Sequence, residues 1–240
     1  MTARSLRARV REEMTEEIKA AARRHLATQG ADLSLRAVAR DLDIVASALY
    51  RYFPNRDALL TALITEAYEA LAAAATAAEA AVPRDDLPRR WHAIWQSVRA
   101  WGLAHPAEYG LLYGTPVPGY SAPPNTVAPA AAIVLLLARV VADGGERLAP
   151  IPATVPDQLH ADLAVLIEQQ PMDIGADRLA RVFAGWTQLF GLISFEVFGR
   201  LNETIAARDT YFDHQCALMA ELVGLPMTPI GPRANSAATA

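Results

Sequence analysis

Residues 34–60 read SLRAVARDLDIVASALYRYFPNRDALL. Leu35, Val38, Ala39 and Leu42 recur at three- and four-residue intervals, the spacing of one buried helix face, and Ser34 stands where a side-chain oxygen can accept the first free amides of that helix. After Asp43 and Ile44 a second short helix begins near Ala46 and runs to about Tyr52, before Pro54 stops it. Asn55 caps a longer helix that passes through Leu59, Leu60, Leu63, Ile64 and Ala67 toward Pro83. Two short helices joined by a tight turn, with a helix upstream to support them, make a helix-turn-helix.

The upstream helix is marked by Met14, Ile18, Ala21, Ala22 and Leu26 on one face, and Gly30 is its expected stop. Residues 1–56 hold eleven basic and seven acidic side chains, a net of +4; the whole chain is −4, so the other 184 residues carry −8. A basic head on an acidic body suits a chain in which one segment meets a polyanion. Arg36 and Arg56 each fall in the first turn of a helix, where the macrodipole disfavours a cation. A phosphate would favour both, because helix-start amides and a guanidinium bind the same anion. Two solvated arginines are the plain alternative.

On the second short helix Leu49 and Phe53 are four apart and face the core, so Ala46, Ser47, Tyr50 and Arg51 look outward. Its leading residues Val45, Ala46, Ser47 and Ala48 are small enough to let a backbone approach base edges in a major groove, with apolar contacts for thymine methyls and one hydroxyl usable by any base. The arginine-rich start, Arg4 to Arg11, is either a further phosphate or minor-groove contact or a solubilising tail.

These residues resemble the N-terminal DNA-binding domain of the tetracycline-repressor (TetR) family. The matching features are Gly30, the Ser34 cap, Val38-Ala39, Leu49-Tyr50-Arg51-Tyr52-Phe53, and Arg56 through Leu59. The resemblance covers about residues 10–65 in motif detail and the whole chain in helix count. It implies an all-α, homodimeric transcription regulator of about nine helices that binds a palindromic double-stranded operator and is released by a small molecule. The implied organisation is a three-helix helix-turn-helix domain over residues 1–56, a ligand-binding and dimerisation domain over 57–223, and a flexible tail over 224–240. Its DNA contacts would come from Ser34, Arg36, Val45, Ala46, Ser47, Tyr50, Arg51, Tyr52 and Arg56; the rings of Tyr50 and Tyr52 could equally pack on neighbouring helices. Two positions depart from the pattern. Asp43 stands where glycine is usual and tolerates a left-handed backbone, whereas Val45 replaces a polar cap and leaves amides for phosphate or water.

Beyond Pro83, prolines and glycines gather between long helical patterns. A helix over about 87–104 sets Trp91, Trp95, Val98 and Gly102 along one stripe, and a short one follows near Glu108 to Tyr113. The stretches 114–129 and 143–157 are too rich in Pro and Gly to be helical throughout, and one apolar helix separates them. Two last helices run over about 177–201 and 209–223. The implied ligand pocket would draw its wall from Trp95, Tyr109, Tyr113, Trp186 and Phe190, with little charge nearby and hence a small hydrophobic or aromatic effector. Each ring could instead be ordinary core. The implied dimer interface lies on the last two helices at Phe195, Phe198, Phe212, Met219 and Leu222, unless that surface faces helices of the same chain.

Composition narrows the other classes. Apolar residues make up 52% of the chain and charged residues 20%, a globular profile. Cys216 is the sole cysteine, the N-terminus lacks an apolar signal core, and the longest apolar run, Ala130 to Ala138, is about half of a spanning helix. The expectation is a cytoplasmic protein without a membrane-spanning part. For an enzyme, His25, His92, His105, His160 and His214 are scattered, no Glu-x-x-His pair occurs, and no phosphate-cradling glycine motif is present, so no catalytic residue, metal or cofactor is expected. A helical enzyme with an apolar cavity, and a DNA-bound protein-interaction factor without a ligand, are the alternatives.

Overall fold

The computed structural model describes residues 3–29 and 33–226. Among them the chain forms ten α-helices and two short 3-10 turns, and no strand. The helices are α1 (Ala3–Gln29), α2 (Leu35–Asp41), α3 (Ala46–Leu49), α4 (Arg56–Ala80), α5 (Leu87–Ala104), α6 (Pro106–Tyr113), α7 (Val127–Ala142), α8 (Asp157–Gln169), α9 (Ala176–Val197) and α10 (Arg208–Leu222). There are ten rather than about nine because Asp157–Gln169 is a full helix in its own right. The stop expected at Gly30 lies outside the described residues.

Three boundaries differ from the sequence reading. α3 is a single turn; residues 50–52 continue as hydrogen-bonded turns, with the Tyr52 amide donating to the Leu49 carbonyl at 2.8 Å. Phe53 precedes Pro54, and a residue before proline is pushed out of the helical region, so the winding loosens as it approaches. At the other end of the chain α9 stops at Val197, and Gly199 follows with φ +71°, a left-handed helix ending. Nor does the expected tail begin at residue 224. Leu225 is buried, and the Gly224 carbonyl accepts the Ala149 amide at 2.8 Å. Residues 227–240 lie outside the described residues. The start of the chain also departs from an arm, since residues 3–11 continue α1.

Two hydrophobic clusters divide the molecule. Ile18, Leu26, Val38, Leu49, Phe53 and Leu59 are in the first, which joins α1, α2 and α3 to the opening turns of α4. The second begins further along α4, at Ala67, Leu71 and Ala75, and is built on Trp91, Trp95, Leu137 and Leu189. α4 therefore belongs to both. The tryptophan stripe of α5 is fully buried, as its spacing demands. α4 and the stretch 124–142 are long and apolar enough to cross a membrane, with mean hydropathies of 1.4 and 1.8. Here they are core helices that pack on one another, and α4 is tied by ion pairs at Glu66 and Glu79.

Buried charge fixes the body. The Arg90 guanidinium, 1% exposed, donates to Glu79 Oε1 at 2.5 Å, Asp143 Oδ2 at 2.7 Å and the Arg84 carbonyl at 3.0 Å, clamping α4, α5 and the end of α7. Arg99 grips Glu196 with two bonds and Asp209 with a third, and lies 4.9 Å from the centre of the Phe212 ring. Hydrogen bonding to Glu196, the largest cause, raises its pKa further despite burial.

Candidate nucleic-acid interface and adjoining cavity

The helix-turn-helix residues fold locally for identifiable reasons. Ser34 Oγ sits 3.5 Å from the Ala37 amide, and the Ser34 carbonyl accepts the Val38 amide at 3.0 Å, so α2 starts there. The turn into α3 needs a left-handed residue, and Asp43 supplies it with φ +53°. Val45 is the cap position of α3 and offers no side-chain bond. Asn55 Oδ1 accepts the Ala58 amide at 2.8 Å and starts α4.

Leu49 is fully buried and Phe53 nearly so, which turns Val45 (70% exposed), Ser47, Tyr50 and Arg51 outward. Ala46 is half-buried against the first cluster. The two tyrosines part company. Tyr50 is exposed, whereas Tyr52 packs on the cluster beneath Arg11, whose guanidinium lies 5.2 Å from the ring centre and donates to the Arg51 carbonyl at 3.2 Å. Arg56 Nε donates to the Leu33 carbonyl at 3.1 Å, tying the start of α4 to the entrance of α2. That bond was not readable from the sequence, where only the helix start was visible.

Four of the expected contacts converge: Ser34, Arg36, Tyr50 and Arg56 line one open cleft of about 400 Å³. A second hollow of about 340 Å³ lies between α2 and the start of α3, with Arg36, Arg40 and Val45 in its wall. Charge in this half of the molecule is sorted. Arg9, Lys19, Arg23 and Arg24 are engaged with Glu13, Glu16, Glu66 and Asp41. Lys19 keeps its charge firmly: burial lowers its pKa, but bonds to Glu16 and Glu66 outweigh that and raise it. Arg36, Arg40 and Arg51 are exposed and have no ion-pair partner among the described residues. These three exposed arginines lie around α3, an arrangement suited to an extended anion.

The larger cavity, about 650 Å³, lies between α4, α6, α7, α9 and the segment joining α6 to α7. Of the expected wall, Tyr113 and Trp186 line it. Phe190 lies behind them, its ring centre 4.2 Å from that of Tyr113, and Tyr109 is buried deeper with its hydroxyl donating to the Phe190 carbonyl at 2.9 Å. Trp95 is not in the wall. It packs against Trp91 and Phe212 between α5 and α10, because the stripe that carries it faces the centre of the bundle. Wall residues missed in the sequence include Tyr68, from the alanine-rich part of α4, and Tyr120, from a Pro- and Gly-rich stretch read only as a connection. Burial raises the pKa of Tyr68 and of Tyr113, so both phenols stay neutral.

This connection also reaches the other half of the molecule. Val117 is buried in the first cluster while lining the cavity, and the Tyr120 and Thr61 hydroxyls are 3.0 Å apart. On the last two helices Phe195 and Phe198 are exposed, Met219 and Leu222 half-buried. Phe212 is corrected from interface to core: it is 2% exposed and covered by Trp95 and Arg99 of its own chain. His92 contacts Asp213 at 3.0 Å, and neither lines the cavity.

Two family models match the chain, one over each of its halves. Residues 18–63 match the family model for bacterial regulatory proteins of the tetR family, and residues 91–219 match that for the tetracyclin repressor-like C-terminal domain. The HTH-type transcriptional regulators Mb1846 of Mycobacterium bovis and Rv1816 of Mycobacterium tuberculosis are each 37% identical over 221 residues, 89% of this chain and 93% of theirs. The crystal structure of the SCO4313 protein superposes with a TM-score of 0.74 at 30% identity, covering 89% of this chain and 98% of its own. A tetR-family regulatory protein from Rhodococcus RHA1 shares the fold, with a TM-score of 0.60 at 19% identity and coverage of 89% and 98%.

Proposed function

The chain belongs to the TetR family of helix-turn-helix transcriptional regulators, and on that premise we propose that it is a repressor that binds a palindromic operator as a homodimer and leaves it when a small hydrophobic molecule occupies the cavity. The domain partition follows the same lines: a DNA-binding unit to about residue 56 and a sensing and dimerising unit from there to about 223. It would act in the cytoplasm, on double-stranded DNA.

The observation that carries the DNA-binding surface is the cleft shared by Ser34, Arg36, Tyr50 and Arg56 beside the outward face of α3. A phosphate in the cleft would meet the guanidinium of Arg36 and the Tyr50 hydroxyl, while Val45 and Ser47 read base edges. Arg56 has a structural bond at Nε, so its replacement would also loosen the junction with Leu33. Exposed Phe195 on α9, Phe198 just past its end and Leu218 on α10 suit a surface covered by a second copy. Such a dimer would place two α3 elements about 34–36 Å apart for half-sites one helical turn apart.

The cavity volume falls within the range that holds small molecules, which favours a ligand over the protein-interaction reading. Coupling has a material path. α4 is shared by both clusters, and Val117 and Tyr120 touch the cavity on one side and the helix-turn-helix unit on the other. A ligand that prefers one setting of this segment shifts the population of operator-competent dimers by its difference in affinity for the two settings. Unbiased selection of bound DNA should enrich a palindrome, and a saturating cavity ligand should weaken binding to it. Unchanged operator affinity at saturation would reject the switch.

A further inference from the structure

Among the described residues, the cavity wall contains no charged side chain. Apart from hydroxyls and backbone, it is built of aliphatic and aromatic groups such as Ile64, Val134 and Phe183. An ion entering it loses water and gains no counter-charge, which disfavours a carboxylate, sulfonate or ammonium strongly against a neutral molecule of the same shape. What polarity the wall offers is mostly hydroxylic. Tyr68 and Tyr113 meet edge to face with ring centres 6.0 Å apart, and neither phenol has a hydrogen-bond partner among the described residues. The indole N–H of Trp186, another wall residue, has no acceptor among the described residues either. Tyr120 differs, because its hydroxyl is already bonded to that of Thr61. The cavity therefore offers two phenol donors that lack acceptors among the described residues, and burial keeps them protonated.

We propose that the cavity takes an uncharged ligand with a flat apolar body and one carbonyl or ether oxygen, seated with that oxygen toward the hydroxyls of Tyr68 and Tyr113. The proposal rests on the effector reading above and narrows it to a chemical class. Aromatic neighbours on two sides, Tyr113 and Trp186, select a flat body, because offset and edge contacts hold a planar ring better than a branched chain. Two unpaired donors select an acceptor, because a ligand without one leaves them desolvated and unsatisfied.

Three fluorescent probes test this on the full chain. N-phenyl-1-naphthylamine and 8-anilino-1-naphthalenesulfonate share one ring skeleton and differ by the sulfonate, while 6-propionyl-2-(dimethylamino)naphthalene is neutral and carries a ketone whose emission reports hydrogen bonding. The neutral amine should bind about tenfold or more tightly than the sulfonate. The double substitution Tyr68→Phe with Tyr113→Phe should weaken the ketone probe by about fivefold or more and shift its emission to the blue, with the amine unaffected. Ala131→Leu, which narrows the same cavity, should weaken both neutral probes. Equal binding of sulfonate and amine, or no binding of either neutral probe, overturns the neutral-ligand claim. Unchanged ketone affinity and emission in the double variant overturns the role of the phenols. Neutral probes that bind as described but leave operator affinity unchanged would count against the effector reading and leave the ligand chemistry standing.

Discussion

Arg90 closes the first turn of α5 and Arg36 lies in the first turn of α2, yet the two arginines live in opposite surroundings. Each stands near the positive end of a helix, where a cation is unwelcome. In the body Arg90 is buried and three oxygens of its own chain surround it. In the head Arg36 is exposed at the lip of a cleft with no ion-pair partner among the described residues. Arg90 and Arg99 of the body are neutralised by carboxylates of the same chain, whereas Arg36, Arg40 and Arg51 of the head are exposed around α3 and have no ion-pair partner among the described residues. The contrast separates charge that holds a fold from charge that is open to a partner.

The largest effect that can break this contrast is on stability. Arg90→Met should cost about 3–5 kcal/mol, because it leaves the Glu79 carboxylate buried without its main partner; chemical denaturation showing a loss below about 1 kcal/mol would contradict the internal pairing. Arg36→Ala should leave the unfolding free energy within about 0.5 kcal/mol and weaken DNA binding about tenfold on any sequence. A titration against specific and scrambled duplexes checks both expectations. Ser47→Ala should change the preferred base at one position of each half-site by about 1 kcal/mol, read as altered enrichment in a selection, with little change on scrambled DNA. The smallest effect concerns Asp177, whose pKa is lowered chiefly by the Thr154 amide and then that of Val155. A carboxylate with a depressed folded pKa stabilises above its unfolded value, near 3.8, and loses that contribution as the pH falls through the folded one. The difference in stability between wild type and Asp177→Asn should therefore be present at neutral pH and shrink below about pH 4; a difference independent of pH would remove Asp177 from the account.

Much of the head is legible before any coordinates because its signals are local. The Asn55 cap, the left-handed Asp43, and the buried pair Leu49 and Phe53 each follow from a few neighbouring residues. The tryptophan stripe of α5 follows from spacing in the same way. What escaped was non-local. Tyr68 and Tyr120 stand 52 positions apart and meet only because α4 packs against the segment after α6. Phe212 has the spacing of an outward apolar face, but Arg99 and Trp95, more than a hundred residues earlier, cover it. Periodicity says that a face is apolar and cannot say which helix buries it. The bond from Arg56 to Leu33 was hidden for a related reason: a side chain at a helix start was matched to an external anion when a backbone carbonyl of the same chain was in reach.

The central claim is that the unpaired arginines around α3 are completed by nucleic-acid phosphate. Its most direct test is the salt dependence of binding to a duplex obtained by selection, measured for wild type and for the combined substitution Arg36→Ala, Arg40→Ala and Arg51→Ala. The account predicts that the slope of log affinity against log salt becomes shallower by about one for each substituted arginine on each half-site, while the variant keeps its melting temperature. A variant whose slope matches that of wild type would contradict it.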